Sequence, residues 1–215
     1  MITTVNLYFN YIINIENDRF GYLGSVFILM MFSFTVFQST CYFRIGFLLI
    51  FTFFSMRFLG LNISNWKHSA DIIKGLTANF ERYNADNIYL LNTPDNFHGA
   101  NIFRNFGLQS PVAETIFVTS GLNKLNQVRD VLYYNMETMG DSVNVKQVGE
   151  NTLKVSFAQW GNWWWRHGIG AYDFENDDFD VKLADGAYLI HFKKRLPGDI
   201  ILYQCGSQWR VFKGF

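Results

Sequence analysis

The apolar residues of this chain follow two regimes: one continuous block near the start, then short runs with helical or alternating spacing. The block extends from Phe20 to Ile63. Phe20 to Phe43 is a run of 24 residues without a charge, Arg44 interrupts it, Ile45 to Met56 is apolar again, and after Arg57 the residues Phe58 to Ile63 close it. At a rise of about 1.5 Å per residue, about 20 apolar residues cross a hydrocarbon core of roughly 30 Å. The block is about twice that length, so it predicts two spans joined by a tight turn near Gln38 to Arg44. Lipid offers the backbone no hydrogen-bond partner, so the spans are expected as helices despite their many Phe and β-branched residues. Met1 to Arg19 interleaves Leu7, Phe9, Ile12 and Ile15 with asparagines. It reads as an interfacial segment or the tail of an earlier span, as if the chain were part of something longer. It has no basic stretch of the kind that opens a cleavable signal peptide.

Beyond the block the pattern shortens. Ser64 to Tyr83 places Trp66, Ala70, Ile73, Leu76 and Phe80 at intervals of three or four, which predicts an amphipathic helix capped by Ser64 or Asn65. Ile88 to Leu91 is a short buried strand. Pro94 and Asp95 end it in a turn, Gly99 to Phe106 opens a short helix, and Val112 to Leu125 fits a strand or a helical turn equally. From Asn126 the pattern is β. Val128 to Tyr134, Ser142 to Val148, Thr152 to Ala158, Phe179 to Leu183, Ala187 to Phe192, Ile200 to Gln204 and Trp209 to Phe212 are expected strands. Turn residues at Gly149, Gly186, Pro197 and Gly206 separate the later ones. The expected fold is a membrane α-helical hairpin of two spans followed by an α+β domain with a mainly antiparallel β-sheet. The expected divisions are residues 1–19 (interfacial), 20–63 (two spans), 64–125 (a linker region with a helix–strand–loop motif) and 126–215 (antiparallel β).

Charge removes one class of partner. Eighteen basic and eighteen acidic residues balance to zero, so nothing suggests the basic face that nucleic acid requires. Aromatics make up 19%, with 11 of the 23 Phe concentrated in the block and most of the 6 Trp later. Cys41 and Cys205 lack zinc or redox spacing and read as unpaired thiols. Arg44 marks the expected turn, and Arg19, Lys67 and Lys74 flank the other side, a count that leans slightly toward a cytoplasmic domain.

Three stretches could carry chemistry. Asn92 to Asn105, a strand leading into a loop, gathers Asp95, Asn96, His98, Arg104 and Asn105. Asp95 could act as a base or accept from a sugar hydroxyl, His98 could carry a proton and Arg104 could clamp a phosphate. The plainer alternative, which the lack of a second carboxylate favours, has Asp95 and Asn96 capping a turn and Arg104 in an ion pair. Gln159 to Gly170 sets Trp160, Trp163, Trp164 and Trp165 beside Arg166 and His167, and its glycines predict a bent loop. A core plug, a membrane-dipping loop and a saccharide platform on Trp163, Trp164 and Arg166 all fit. Asp173 to Asp180 is an acidic run without the spacing of a calcium loop, so a solvated turn is the better reading. Phosphate-loop, dinucleotide, zinc and serine-hydrolase motifs do not occur, so no cofactor or metal is expected.

Asn65, Trp66 and Ala70, then Ile88 to Asn96, Gly99, Ala100 and Phe103 to Asn105, with Pro197 to Ile201 and Trp209 near the end, resemble the C-terminal region of polytopic membrane glycosyltransferases of the C-type superfamily from Bacteroidetes-type bacteria, related to protein mannosyltransferases. The likeness covers roughly Phe47 to Leu108 and that ending. One departure is Asn105 followed by Phe106 and Gly107, where the family would place Gly directly after Asn. The resemblance implies a bacterial inner-membrane protein whose last helices lead into an extracytoplasmic domain. The family's catalytic carboxylate lies in its first extracytoplasmic loop, which has no equivalent here, so no catalytic residue carries over.

These readings combine into a non-catalytic C-terminal portion of a membrane glycosyltransferase-like protein, not active alone. Asp95, Asn96, His98, Arg104, Trp163, Trp164 and Arg166 would contact a saccharide or lipid-linked sugar. The expected partners are the bilayer, that glycan and the remaining spans of a larger membrane protein, with no nucleic acid. The alternative is a membrane-anchored protein-interaction module without enzymatic activity.

Overall fold

The computed structural model describes residues 30–31, 33–34, 36–78, 80–103, 110–124, 126–157, 162–164, 173–184, 186–194 and 197–213. Two compact units emerge, Met1–Lys67 and His68–Phe215.

In the first unit the described positions of 30–38 are helical, and Ser39 and Thr40 break the helix. The Ser39 backbone N–H and hydroxyl both donate to Val36 O, and Arg44 Nε donates to Ser39 O at 2.9 Å. Helix α1 (Cys41–Thr77, 37 residues) starts after this break. Among the described residues only one helical stretch, Cys41–Arg82, is long and apolar enough to cross a membrane. One of the expected pair of spans is thereby seen, and a second is not supported among the described residues. Most of the other expected span, Phe20 to Phe43, lies outside the described residues. The separate helix from Ser64 is also corrected, because α1 runs straight through Ser64 and Asn65. Capping residues start a helix only where the preceding chain leaves helical geometry, and no proline between Cys41 and Thr77 forces it to. Leu48, Leu49, Phe53, Phe54, Leu59 and Leu61 are all exposed. A helix apolar on every side fits lipid better than water.

In the second unit the end of α1 turns amphipathic. Ser69, Ile72 and Leu76 are buried, and the Ser69 hydroxyl donates to Ala100 O at 3.1 Å. Gly75 is required here, since a Cβ would strike the Ser207 carbonyl. A 3₁₀ turn, Phe80–Arg82, buries Phe80.

Strand β1 (Ile88–Leu90) is apolar throughout and buried throughout. It lies between two parallel neighbours, β4 (Val128–Asp130) and β12 (Ile200–Cys205). An unbroken apolar run suits a strand covered on both faces. With β13 (Gln208–Val211) antiparallel to β12, the order of this mixed sheet is β13-β12-β1-β4. Chain segments 88–97 and 128–136 then leave it side by side. Leu91 N donates to Leu202 O, Val131 N to Leu90 O and Thr93 N to Leu132 O. They re-form as the parallel pair β2 (Thr93–Phe97) and β5 (Tyr133–Met136) of a second sheet. The single strand expected over Val128 to Tyr134 is therefore two, divided at Val131 and Leu132. The short helix expected from Gly99 is instead a hairpin return, β3 (Ala100–Asn101). The edge strand β8 (Asn162–Trp164) corrects the bent-loop expectation at those residues. The order of this sheet is β3-β2-β5-β8.

The third sheet is the alternating one. β6 (Val143–Gly149), β7 (Thr152–Phe157), β9 (Phe174–Glu175), β10 (Phe179–Ala184) and β11 (Ala187–Phe192) pair antiparallel in the order β6-β7-β11-β10-β9. Gly186, at φ 69°, lies in the tight turn that sets Ala184 opposite Ala187. Across the domain β1–β4, β1–β12 and β2–β5 pair parallel and the other pairings are antiparallel. Helix α2 (Pro111–Ser120) resolves the ambiguous stretch. Ser110 caps it through Ala113 N, Pro111 stands in its first turn, and Gly121 at φ 74° closes it. Two apolar clusters form the core. One gathers α1, α2, β1 and Trp209, and the other lies under the five-stranded sheet.

Candidate functional site

Two of the three candidate stretches share one sheet. β2 carries Asp95 and Asn96, β8 carries Trp163 and Trp164, and β5 separates them. In register, Asn101 of β3 stands opposite Asn96, Asn96 opposite Asn135 of β5, and Asn135 opposite Asn162 of β8. Four asparagines thus form one row across all four strands. Asparagine is disfavoured in strands because its amide competes with the ladder, so four in register is unusual.

The local chemistry of the row follows from a bulge. The register of β2 against β5 slips between Pro94 and Asn96, leaving Asp95 as the extra residue. Bulges re-aim side chains and are frequent beside functional sites. Asp95 and Asn96 are 1% and 3% exposed. Asn96 Nδ2 donates to Asp95 Oδ2 at 2.9 Å and also to Asn135 Oδ1, while Asn96 Oδ1 accepts from Gly99 N at 3.2 Å. Asn96 therefore both caps the following turn and links two strands. At that turn His98 takes φ 47° and Gly99 φ 84°. His98 is exposed, and its Nδ1 lies 3.8 Å from Glu137 Oε2. His98 and Glu137 follow the carboxyl ends of the parallel pair β2 and β5, where ligands commonly sit in open sheets. Asn101 Oδ1 is buried and accepts no hydrogen bond among the described residues. Buried acceptors are normally bonded, so this one is poised for a donor.

Behind the row lies a second polar group joining the bulged and mixed sheets. Asn92 and Gln204 are fully buried. Asn92 Oδ1 accepts from Gln204 N at 2.7 Å, and Asn92 Nδ2 donates to Gln204 Oε1 at 3.1 Å. The Tyr134 hydroxyl donates to Gln204 Oε1 as well. Burial pushes the Tyr134 phenol well above its usual range, and the nearby Asp141 carboxylate adds to this. The phenol therefore stays a donor. Thr93 Oγ1 donates to Asp130 Oδ1 at 2.6 Å. These contacts tie β5, and the Asn92 that leads into β2, to β12, and tie β2 to β4.

The sequence-derived residues are thus partly assembled. Asp95 and Asn96 lie in the row and His98 at its end. Trp163 and Trp164 stand in register opposite Tyr134 and Tyr133. Arg104 and Arg166 lie outside the described residues. Asn101, Asn135, Glu137 and Asn162 escaped the sequence reading. The available signal was asparagine inside strand-like runs, as in Tyr133 to Met136. In the acidic run, Asp178 pairs with Arg129 at 3.4 Å and Glu175 with Lys193 at 2.5 Å. Asp173 Oδ1 accepts from Leu183 N at 3.1 Å, and Asn176 caps the turn between β9 and β10. Among the described residues no group of three His, Cys, Asp or Glu could hold a metal ion. Chemically, the row offers neutral amides that donate and accept at once, beside a buried carboxylate and an exposed imidazole–carboxylate pair. No protein-family model, curated protein or solved structure matches this chain.

Proposed function

We propose that this chain is the non-catalytic, membrane-anchored portion of a glycosyltransferase-like bacterial inner-membrane protein, with an extracytoplasmic β domain that holds a saccharide or lipid-linked sugar. The observation that carries this reading is the asparagine row. Sugar hydroxyls donate and accept together, and so do amides. Trp163 and Trp164 on the adjoining edge strand supply the residue type that covers sugar rings. The acceptor Asn101 Oδ1 would take a ligand hydroxyl. Asp95, nine-tenths and more buried and already accepting from Asn96, serves to position the amide rather than to take protons from solvent. The full chain in detergent micelles, titrated with hexoses and with a polyprenyl-phosphate-linked hexose, tests this. Trp164→Ala and Asn135→Ala should each weaken binding about tenfold, equivalent to about 1.4 kcal/mol. Affinity unchanged in both would remove the glycan reading.

A second reading, a membrane-anchored protein-interaction module without enzymatic activity, is favoured by Phe117 and Val118, which are exposed side by side on α2. Phe117→Ser with Val118→Ser should abolish partner recovery under that reading and leave sugar titrations unaltered.

A further inference from the structure

We infer that the domain has a second, separate ligand site: an anion site, of phosphate type, in the cleft between β6 and the β12–β13 hairpin. The cleft has a volume of about 400 Å³ and is lined by Ser142, Val145, Lys146, Tyr203, Arg210 and Phe212 among others, with no carboxylate among the described residues of its lining. Among the described residues the only backbone bridge here joins Ser142 to Cys205, and β6 and β12 belong to different sheets. Tyr203 and Arg210 are cross-strand partners and so reach the cleft as a pair.

The charges here are unbalanced. The side chains of Lys146 and Arg210 form no ion pair or hydrogen bond among the described residues. Lys146 also stands in register directly opposite Lys154 of β7. Like charges facing each other across a sheet repel at close range, which destabilises the pair unless an anion sits between or beside them. Two cations lining one cleft, with Lys154 in register beside Lys146, therefore concentrate positive potential in one place in a chain with no net charge. The chemistry of the lining is complementary to a phosphoryl group. Arg210 can grip two oxygens through its planar fork, Lys146 adds a point charge and the Tyr203 hydroxyl a further donor. Val145 and Phe212 would cover an apolar substituent. Among the described residues the outer edge of β6 pairs with no other strand, so its backbone N–H groups extend the donor set.

The same phosphoryl chemistry belongs to soluble phosphate esters and to phospholipid headgroups. The full chain in phosphatidylcholine nanodiscs, titrated with inorganic phosphate by calorimetry, should show saturable binding that weakens as salt rises. Arg210→Gln with Lys146→Gln should weaken it about tenfold or more, while Lys193→Gln, which removes a lysine far from the cleft, should leave it unchanged. Circular dichroism confirms that the variants fold; if the double variant does not, Arg210→Lys alone should still weaken binding by removing the fork. Repeating the titration in phosphatidylglycerol nanodiscs at matched ionic strength distinguishes the source. Suppressed phosphate binding there identifies the lipid headgroup, and undiminished binding identifies a soluble phosphate. Absence of binding to the wild type, or equal binding by folded wild type and double variant, would overturn the inference. The asparagine row does not enter this test, so either site can fail alone.

Discussion

The five-stranded sheet and the asparagine-crossed sheet sit in the same domain but are held by opposite chemistry. In the first, Leu153, Val155, Val181, Ile190 and Phe192 are fully buried and every pairing is antiparallel. In the second, Thr93, Asp95 and Asn96 are buried, one pairing is parallel, and a bulge interrupts it. Apolar burial is non-directional, so it tolerates any register that keeps one face greasy. Buried amides and carboxylates are directional and stabilise only when each finds its partner. The first sheet is therefore a platform, and the second is the place where geometry was specified atom by atom.

That contrast can be broken from either side. The largest effect is expected for Phe192→Ala, which opens a cavity under the apolar sheet where Tyr89 and Phe179 pack against the ring. It should lose about 3–5 kcal/mol of stability in denaturant titrations. Gln204→Leu strips acceptors from Asn92 and Tyr134 and should lose about 1–3 kcal/mol. Adding Tyr134→Phe should then recover part of that loss, because the phenol that lost its Gln204 acceptor is removed with it. A further loss on the second substitution would show that the network stabilises the domain outright, against the contrast drawn above.

Smaller effects separate the sheets by pH. Burial raises the Tyr134 phenol well above its ordinary value of about 10. The unfolded chain then releases this proton first, so stability is complete below about pH 10 and falls as pH climbs toward the raised value. Tyr134→Phe should flatten that alkaline decline. Tyr188, under the apolar sheet, is also raised by burial but less far, and Tyr188→Phe should flatten it less. The smallest effect lies at Glu175. The hydrogen bond and charge of Lys193 hold its carboxyl below the usual range. The contribution is present at neutral pH and is lost as acid titrates it below the ordinary carboxylate value. An NMR titration should return Glu175 to that ordinary value in Lys193→Gln.

Legibility followed the same division. The alternation at Leu153 and Val155 located β7, and the unbroken run at Ile88 located β1, because each pattern has one geometric solution. Pro94 and Asp95 read as a turn, yet they lie in β2. There a bulge admits Asp95 and the parallel partner β5 supplies Asn135, some forty positions away in sequence. No local pattern contains that partner.

Sequence alone established the apolar stretch that becomes the membrane-length helix, the β character of the later half and the glycine-marked turns, since these depend on composition and spacing over a few neighbouring residues. Tertiary structure alone decided that α1 passes Ser64 without a break and that the segments 88–97 and 128–136 cross together between sheets. It also decided that Asn101, Asn96, Asn135 and Asn162 form one row. The reason is physical. Burying apolar area needs only the right face, whereas aligning buried polar groups needs particular partners, and those partners are brought together only by the fold.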